Sequence, residues 1–269
     1  MPTWARITTR LFLSIILTLA PCEALQDTRS VFHAQNATSG GGGGGVTWTV
    51  VQHPTKFNCS STGGGTLGCT VTVTSVTAGN LLIILSATFS GAVSGGTPSF
   101  SSAGGNGSDN SSVFTHCPST LAKINYSAGN WEATDCSYVL SAIGGDTSMT
   151  FTWVYPVSGG TNQAIDVDFF EIHRSTGSAT LDTSNIATAT CSSCSAPNLT
   201  LSGTSDFIAQ WNANQNFCTA VSGPYTNPTD IENTNVQGGF AGALNQSSGT
   251  GPTWTCTSGG IAMSGIAFQ

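Results

Sequence analysis

The densest run of ionisable side chains is Asp-Val-Asp-Phe-Phe-Glu-Ile-His-Arg, residues 166–174. In a β-strand successive side chains alternate between faces, so Asp166 and Asp168 share one face while Glu171 and His173 share the other. Same-face neighbours stand about 7 Å apart, inside the separation that an inverting glycosidase uses to seat a water. Such catalysis needs one carboxyl protonated and its partner ionised. Asp166, Asp168 and Glu171 are therefore the candidate catalytic residues of a glycan-active hydrolase. Any strand carrying same-face acids meets this spacing, and the simpler expectation is a strand with one solvated face and a surface ion pair among Glu171, His173 and Arg174.

Other chemistries find less to work with. Glu171 and His173 could ligate a metal, but no further histidine lies near and no H-x-H or H-x-x-x-H spacing occurs, so no metal or cofactor is expected. No G-x-S-x-G elbow is present, and Ser264 in Ala-Met-Ser-Gly-Ile lacks the first glycine. Cys191 and Cys194 have redox C-x-x-C spacing, although a β context and an export signal favour a structural bridge.

Sugar recognition asks for aromatic faces beside amide or carboxylate groups. Trp131, Trp211 with Asn212 and Asn214, and Tyr225 lie in or beside Gly- and Asn-rich stretches, making them the candidate ligand-binding residues. Trp48, Trp153 and Trp254 fall within strand-like runs and read as core. Thr70, Thr72 and Thr74 form a short ladder; ice-binding arrays need many stacked copies, so a threonine-lined solvent face is expected.

The elements that must position these residues are β-strands. Val46–Gln52 and Cys69–Val76 alternate polar with apolar, Asn80–Phe89 is a continuous apolar run, and further strand signals cover 120–126, 133–142, 148–155, 163–173, 198–203, 206–213 and 260–269. Turn-forming Gly, Asn, Ser and Pro clusters separate them. About ten strands at this spacing indicate a sandwich or barrel. The run at 80–89 is too short to cross a bilayer and reads as a central strand buried on both faces.

Composition sets the compartment. Only 7% of residues are charged, and the formal net charge is -7 with six Lys and Arg in all, which excludes a phosphate-neutralising surface and hence nucleic acid. Arg6 and Arg10, the apolar stretch Leu11–Ala20 and a small-residue site ending at Ala24 read as a signal peptide over 1–24. Residues 25–45, closing on six consecutive glycines, read as a flexible linker, and 46–269 as one domain. Cleavage leaves eight of nine cysteines, an even number suited to an oxidising compartment. Short-loop stapling favours nearest-neighbour pairs: Cys59–Cys69, Cys117–Cys136, Cys191–Cys194 and Cys218–Cys256.

The order Thr-Ala-Gly-Asn-Leu-Leu-Ile-Ile-Leu-Ser-Ala (77–87), Tyr138–Trp153 with its Gly-Gly hairpin, Asp166–Asp182 and Ser202–Trp211 resembles a broad group of secreted bacterial jelly-roll modules. One motif departs: Glu171-Ile172-His173-Arg174 stands where the group has an aromatic, a serine and a glycine. The resemblance implies an antiparallel, lectin-like or adhesin-like β-sandwich and transfers no catalytic set. The expected function is a secreted binding or adhesion module for extracellular glycan or another cell-surface component, without a membrane span once the signal is removed. The alternatives are the hydrolase above and a surface or matrix protein that self-associates through its strand edges, because scarce charge leaves edges unguarded.

Overall fold

The computed structural model describes residues 45–61, 65–91, 98–127, 129–155, 163–214, 218–221, 223–225 and 237–269, all within one unit, Phe32–Gln269. The expected signal peptide and all but the last residue of the expected linker lie outside the described residues. Within them there is no helix and so no helix that could cross a membrane.

The strands are β1 (Trp48–Gln52), β2 (Thr55–Ser61), β3 (Gly65–Thr72), β4 (Leu81–Ser90), β5 (Ser99–Gly105), β6 (Thr115–His116), β7 (Ala122–Ser127), β8 (Asn130–Val139), β9 (Ser148–Tyr155), β10 (Gln163–Arg174), β11 (Leu181–Ser195), β12 (Asp206–Asn214), β13 (Cys218–Val221), β14 (Gln237–Gln246) and β15 (Thr253–Phe268). They pair antiparallel in three sheets. A seven-stranded sheet runs β1-β10-β4-β8-β6, with β2 also on β10 and β7 also on β8. A five-stranded sheet runs β11-β15-β12-β14 with β13 on β15, and a three-stranded sheet runs β3-β9-β5.

The seven-stranded sheet is the middle layer, and this explains the continuous apolar run. All ten residues of β4 are buried. Leu81, Ile83, Leu85, Ala87 and Phe89 pack with Phe207, Trp211, Phe240 and Phe268 of the five-stranded sheet. Leu82 and Ile84 face the other way and pack with Val71, Met149, Phe151 and Trp153 of the three-stranded sheet. A strand covered on both sides needs apolar residues at every position, while one covered on a single side alternates. Strand β9 is that second case: Met149, Phe151, Trp153 and Tyr155 are buried, and Ser148, Thr150, Thr152 and Val154 point outward.

Bridges join Cys59 to Cys69, Cys117 to Cys136, Cys191 to Cys194 and Cys218 to Cys256, the nearest-neighbour pairs. The segment 198–203 departs from its strand expectation and contributes only an isolated bridge at Leu199. It belongs to a covering loop whose Ala196 and Leu199 join Tyr225 and, from β15, Trp254 in a third apolar cluster on the outer side of the five-stranded sheet.

Candidate functional site

The acidic strand is interior throughout. Residues 163–172 of β10 are all buried, so the expected solvated face does not exist. The alternation of faces holds, but both faces meet another sheet. Asp166 accepts hydrogen bonds from the backbone N–H of Asn58 at 2.9 Å and of Gly238 at 3.2 Å. Burial pushes its carboxyl up to about 7 against the pull of those two donors. Asp168 accepts from His53 Nε2 at 2.6 Å, and the imidazole stacks on Phe170 with centroids 3.9 Å apart. Burial raises this carboxyl too, with the His53 contact opposing.

Glu171 takes Asn80 Nδ2 at 2.6 Å, the Thr77 N–H at 2.9 Å and the Gln52 amide. The expected surface ion pair is therefore replaced by a buried clamp on the turn before β4. His173 Nδ1 donates to Asn80 Oδ1 at 3.2 Å, and Arg174 lies over the Trp48 ring at 5.5 Å. None of Asp166, Asp168 and Glu171 can touch a polymeric substrate. They are fully enclosed, and what they hold is backbone N–H, imidazole and the side-chain amides of Asn80 and Gln52.

The candidate sugar-binding residues divide in a similar way. Trp211 is wholly buried between the middle and five-stranded sheets and cannot present a stacking face. Asn212 and Asn214 point to the opposite, outer side of β12, beneath the covering loops: Asn214 Nδ2 donates to Asn212 Oδ1 at 2.6 Å. Tyr225 anchors one of those loops through its hydroxyl to Thr250 O at 3.0 Å, and burial pushes it up to about 12. Asn212 and Asn214 thus come together as an interior polar pair, and Tyr225 is buried apart from them in an apolar cluster. Trp131 alone of the five keeps partial exposure, paired in register with exposed Asn125.

Two features escaped sequence reasoning. The first is a carboxyl pair joining the starts of β11 and β12. Burial and the neighbouring Asp182 push Asp206 up to about 7. Burial also works to raise Asp182, but hydrogen bonds from Ser202, Asp206 and the Gly203 N–H hold it below its usual value. Asp182 fastens the turn at 202–206 to β11 by accepting the Ser202 N–H at 2.7 Å and the Ser202 hydroxyl, and Asp206 beside it is fully enclosed.

The second is an open hollow of about 230 Å³ on the outer face of the three-stranded sheet. Its floor is Ser102, Ala103 and Gly104 of β5 with Thr150 and Thr152 of β9, and its wall is the loop carrying Asn106, Asn110 and Ser111. That loop is held from below. Buried Asp146 accepts the N–H of Gly107 and, at 3.0 Å, of Asp109; buried Asp109 accepts those of Ile143 and Gly144, each at 2.8 Å. Asn106 Oδ1 takes the Thr147 N–H at 2.9 Å, and Asn110 Oδ1 the Ser112 N–H at 3.0 Å. A Cβ on Gly104 would lie 2.5 Å from the Ser111 nitrogen, so glycine is what allows the wall to approach the floor.

Thr150 shares a hydroxyl bond with Thr70 across the strand at 2.7 Å. The Ser102, Ser111 and Thr152 hydroxyls and the Asn110 amide nitrogen have no partner among the described residues and face the hollow. No lining residue is ionisable or aromatic. The signal that could have found it was the Thr-x-Thr alternation in Ser148–Tyr155 beside Gly104-Gly105-Asn106, polar positions whose apolar neighbours must point inward.

The chain matches no protein-family model, no curated protein and no solved structure. Among the described residues no cluster of His, Cys, Asp or Glu could hold a metal ion.

Proposed function

We propose that this protein is a secreted binding or adhesion module that takes neutral extracellular glycan in the hollow between β5, β9 and the loop at 106–111. The observation that carries the reading is a preformed, uncharged opening lined by serine and threonine hydroxyls, two asparagines, Ala103 and glycine backbone, in a chain whose described carboxyls are mostly turned inward. Sugar hydroxyls both donate and accept, and so do serine and threonine hydroxyls, so each contact can be satisfied without a net charge. At about 230 Å³ the hollow is smaller than the roughly 300–1,000 Å³ of sites that engulf a ligand. It suits one residue of an extended chain resting on the sheet.

Within this reading the seven- and five-stranded sheets form the lectin-like jelly-roll sandwich, and the three-stranded sheet is an added layer bearing the site. Four disulfides suit an oxidising, extracellular setting. The hydrolase alternative is left without accessible carboxyls at Asp166, Asp168 or Glu171.

An array of neutral and acidic polysaccharides tests the proposal. Neutral glycan should bind, with Asn110→Ala and Thr152→Val each weakening it by about tenfold, the worth of one lost polar contact of roughly 1.4 kcal/mol. Binding confined to acidic glycans, or lost on Trp131→Ala while both groove variants bind normally, contradicts it.

A further inference from the structure

We propose that Cys191–Cys194 is a redox-active bridge, a thiol–disulfide exchange site that takes electrons from low-molecular-weight thiols at Cys191 and opens without loss of the fold.

An exchange-active bridge has to break and re-form while the chain around it stays in place. Three of the four bridges hold separate segments together. Cys59–Cys69 joins β2 to β3, and so the middle sheet to the three-stranded one. Cys117–Cys136 ties the segment after β6 to β8, and Cys218–Cys256 ties β13 to β15. Cys191 and Cys194 instead lie in one strand, β11, at a separation of 3 residues. The ladder to β15 runs on at both sides of their bond: Thr190 opposes Gly260 and Cys191 opposes Gly259. Past the bulge Ser193 opposes Thr255, Cys194 opposes Trp254 and Ser195 opposes Thr253. Backbone pairing therefore keeps both cysteines in place when the bond opens, and reclosure is an intramolecular reaction between positioned sulfurs.

The two cysteines differ in access. Cys194 is buried in the outer apolar cluster with Ala196, Leu199 and Trp254. Cys191 is half-buried at the margin of that cluster and is followed by exposed Ser192 and Ser193. A thiolate attacks one sulfur of a disulfide and expels the other. With Cys194 inside, the attacked sulfur is that of Cys191 and the leaving sulfur that of Cys194. Cys59 is half-buried too, but opening its bridge parts two sheets. The one charge on β11 is Asp182, about 30 Å from Cys191 at 3.4 Å per residue, so the strand does not repel an incoming thiolate. Cys191 keeps its partial cover and its place in the ladder, so the reductant that fits is a small thiol of the glutathione class. Once released, the Cys194 thiol is a small apolar group among apolar neighbours, and the cluster stays intact.

In the first step a thiolate bonds to Cys191 Sγ as the Cys191–Cys194 bond breaks. The electron pair leaves on Cys194 Sγ, which takes a proton from water. A second thiolate then attacks the sulfur of the bound thiol, and Cys191 Sγ leaves and is protonated in turn. Two thiols are oxidised to one disulfide, and the bridge is reduced to a dithiol.

Titration of the full, disulfide-bonded chain in buffers of reduced and oxidised glutathione tests this, with freed thiols alkylated and mapped and amide spectra recorded alongside. Cys191 and Cys194 should be labelled together at ratios where the other three bridges stay closed, with amide shifts confined to β11 and β15 around the bridge. In Cys194→Ser, Cys191 should form a mixed disulfide with glutathione at least about tenfold faster than Cys194 does in Cys191→Ser. A bridge still closed in excess reduced glutathione, opening of Cys59–Cys69 before it or with it, opening only on global unfolding, or a Cys194 that reacts as fast as Cys191 overturns the proposal.

Discussion

Strand β10 and the β5–β9 face lie in adjacent layers and carry opposite chemistries. The first holds three carboxyls and a histidine within eight residues and buries all the carboxyls; the second offers hydroxyls, glycine and an amide, and opens to solvent. The difference separates two uses of polarity. Inside, a carboxylate collects donors that the backbone would otherwise leave unpaired: Glu171 holds the turn before β4, Asp166 ties β2 to β14, and Asp146 with Asp109 builds the wall of the hollow. Outside, neutral groups with their own donors and acceptors remain free for a ligand. Charge here is architecture, and contact is left to uncharged side chains.

Breaking an interior contact should therefore cost stability. Asp168→Ala removes the acceptor of the buried His53 imidazole and should destabilise the protein by about 3–5 kcal/mol, read from the urea midpoint. The comparison fails if this variant loses glycan binding while unfolding like the wild type.

The next effect is a pH dependence. Asp166 is raised to about 7 in the fold against about 4 unfolded, so its protonated form favours the native state. Its contribution is complete below about pH 4 and lost as pH rises through 7; between pH 5 and 8 the loss is about 2–3 kcal/mol. Asp206, also raised to about 7, adds in the same direction. Urea midpoints should fall over that interval, and Asp166→Asn should flatten the slope.

The staples give a smaller contrast. In the chain-entropy account, closing the 38-residue separation of Cys218–Cys256 contributes about 4 kcal/mol and the 3-residue separation of Cys191–Cys194 about 2. Replacing each pair by alanine should lower the midpoint in that order. Smallest of all, Thr152→Val in the hollow should shift stability by no more than about 0.5 kcal/mol while changing binding, which is what places the hollow on the functional side of the comparison.

Much of the fold was legible where burial leaves a periodic trace. The solid run of β4 announced a strand covered twice, β9 announced one covered once, and the short cysteine spacings pointed to the four pairs. Strands β11 and β14 left no such trace. β11 is an edge of Ser, Thr, Ala and Asn without an apolar rhythm, and β14 is rich in glycine for a reason visible only in three dimensions. A Cβ on Gly238 would sit 2.9 Å from Ala87 Cβ, and one on Gly242 3.2 Å from the Phe170 ring. Glycine that reads as loop is there the condition for two sheets to touch.

The site was less legible, because residue type was taken as a guide to exposure. Trp211 and its asparagines look like a sugar platform in sequence, yet they lie on opposite faces of one buried strand. Alternation along 206–213 already places them on opposite faces; that both faces are covered is decided by the packing of sheets and loops, which no local pattern reports. The hollow needed two strands and a loop separated by about forty residues to meet, and each piece alone reads as ordinary polar surface.

The most direct test of the central claim is a titration of the isotopically labelled protein with a neutral oligosaccharide, followed by amide chemical shifts. The account predicts saturable shifts concentrated at Ser102, Gly104, Asn110, Ser111 and Thr152, with the amides of 206–214 unmoved. Shifts centred on Trp131 or on the segment 206–225, with the β5–β9 face silent, would contradict it.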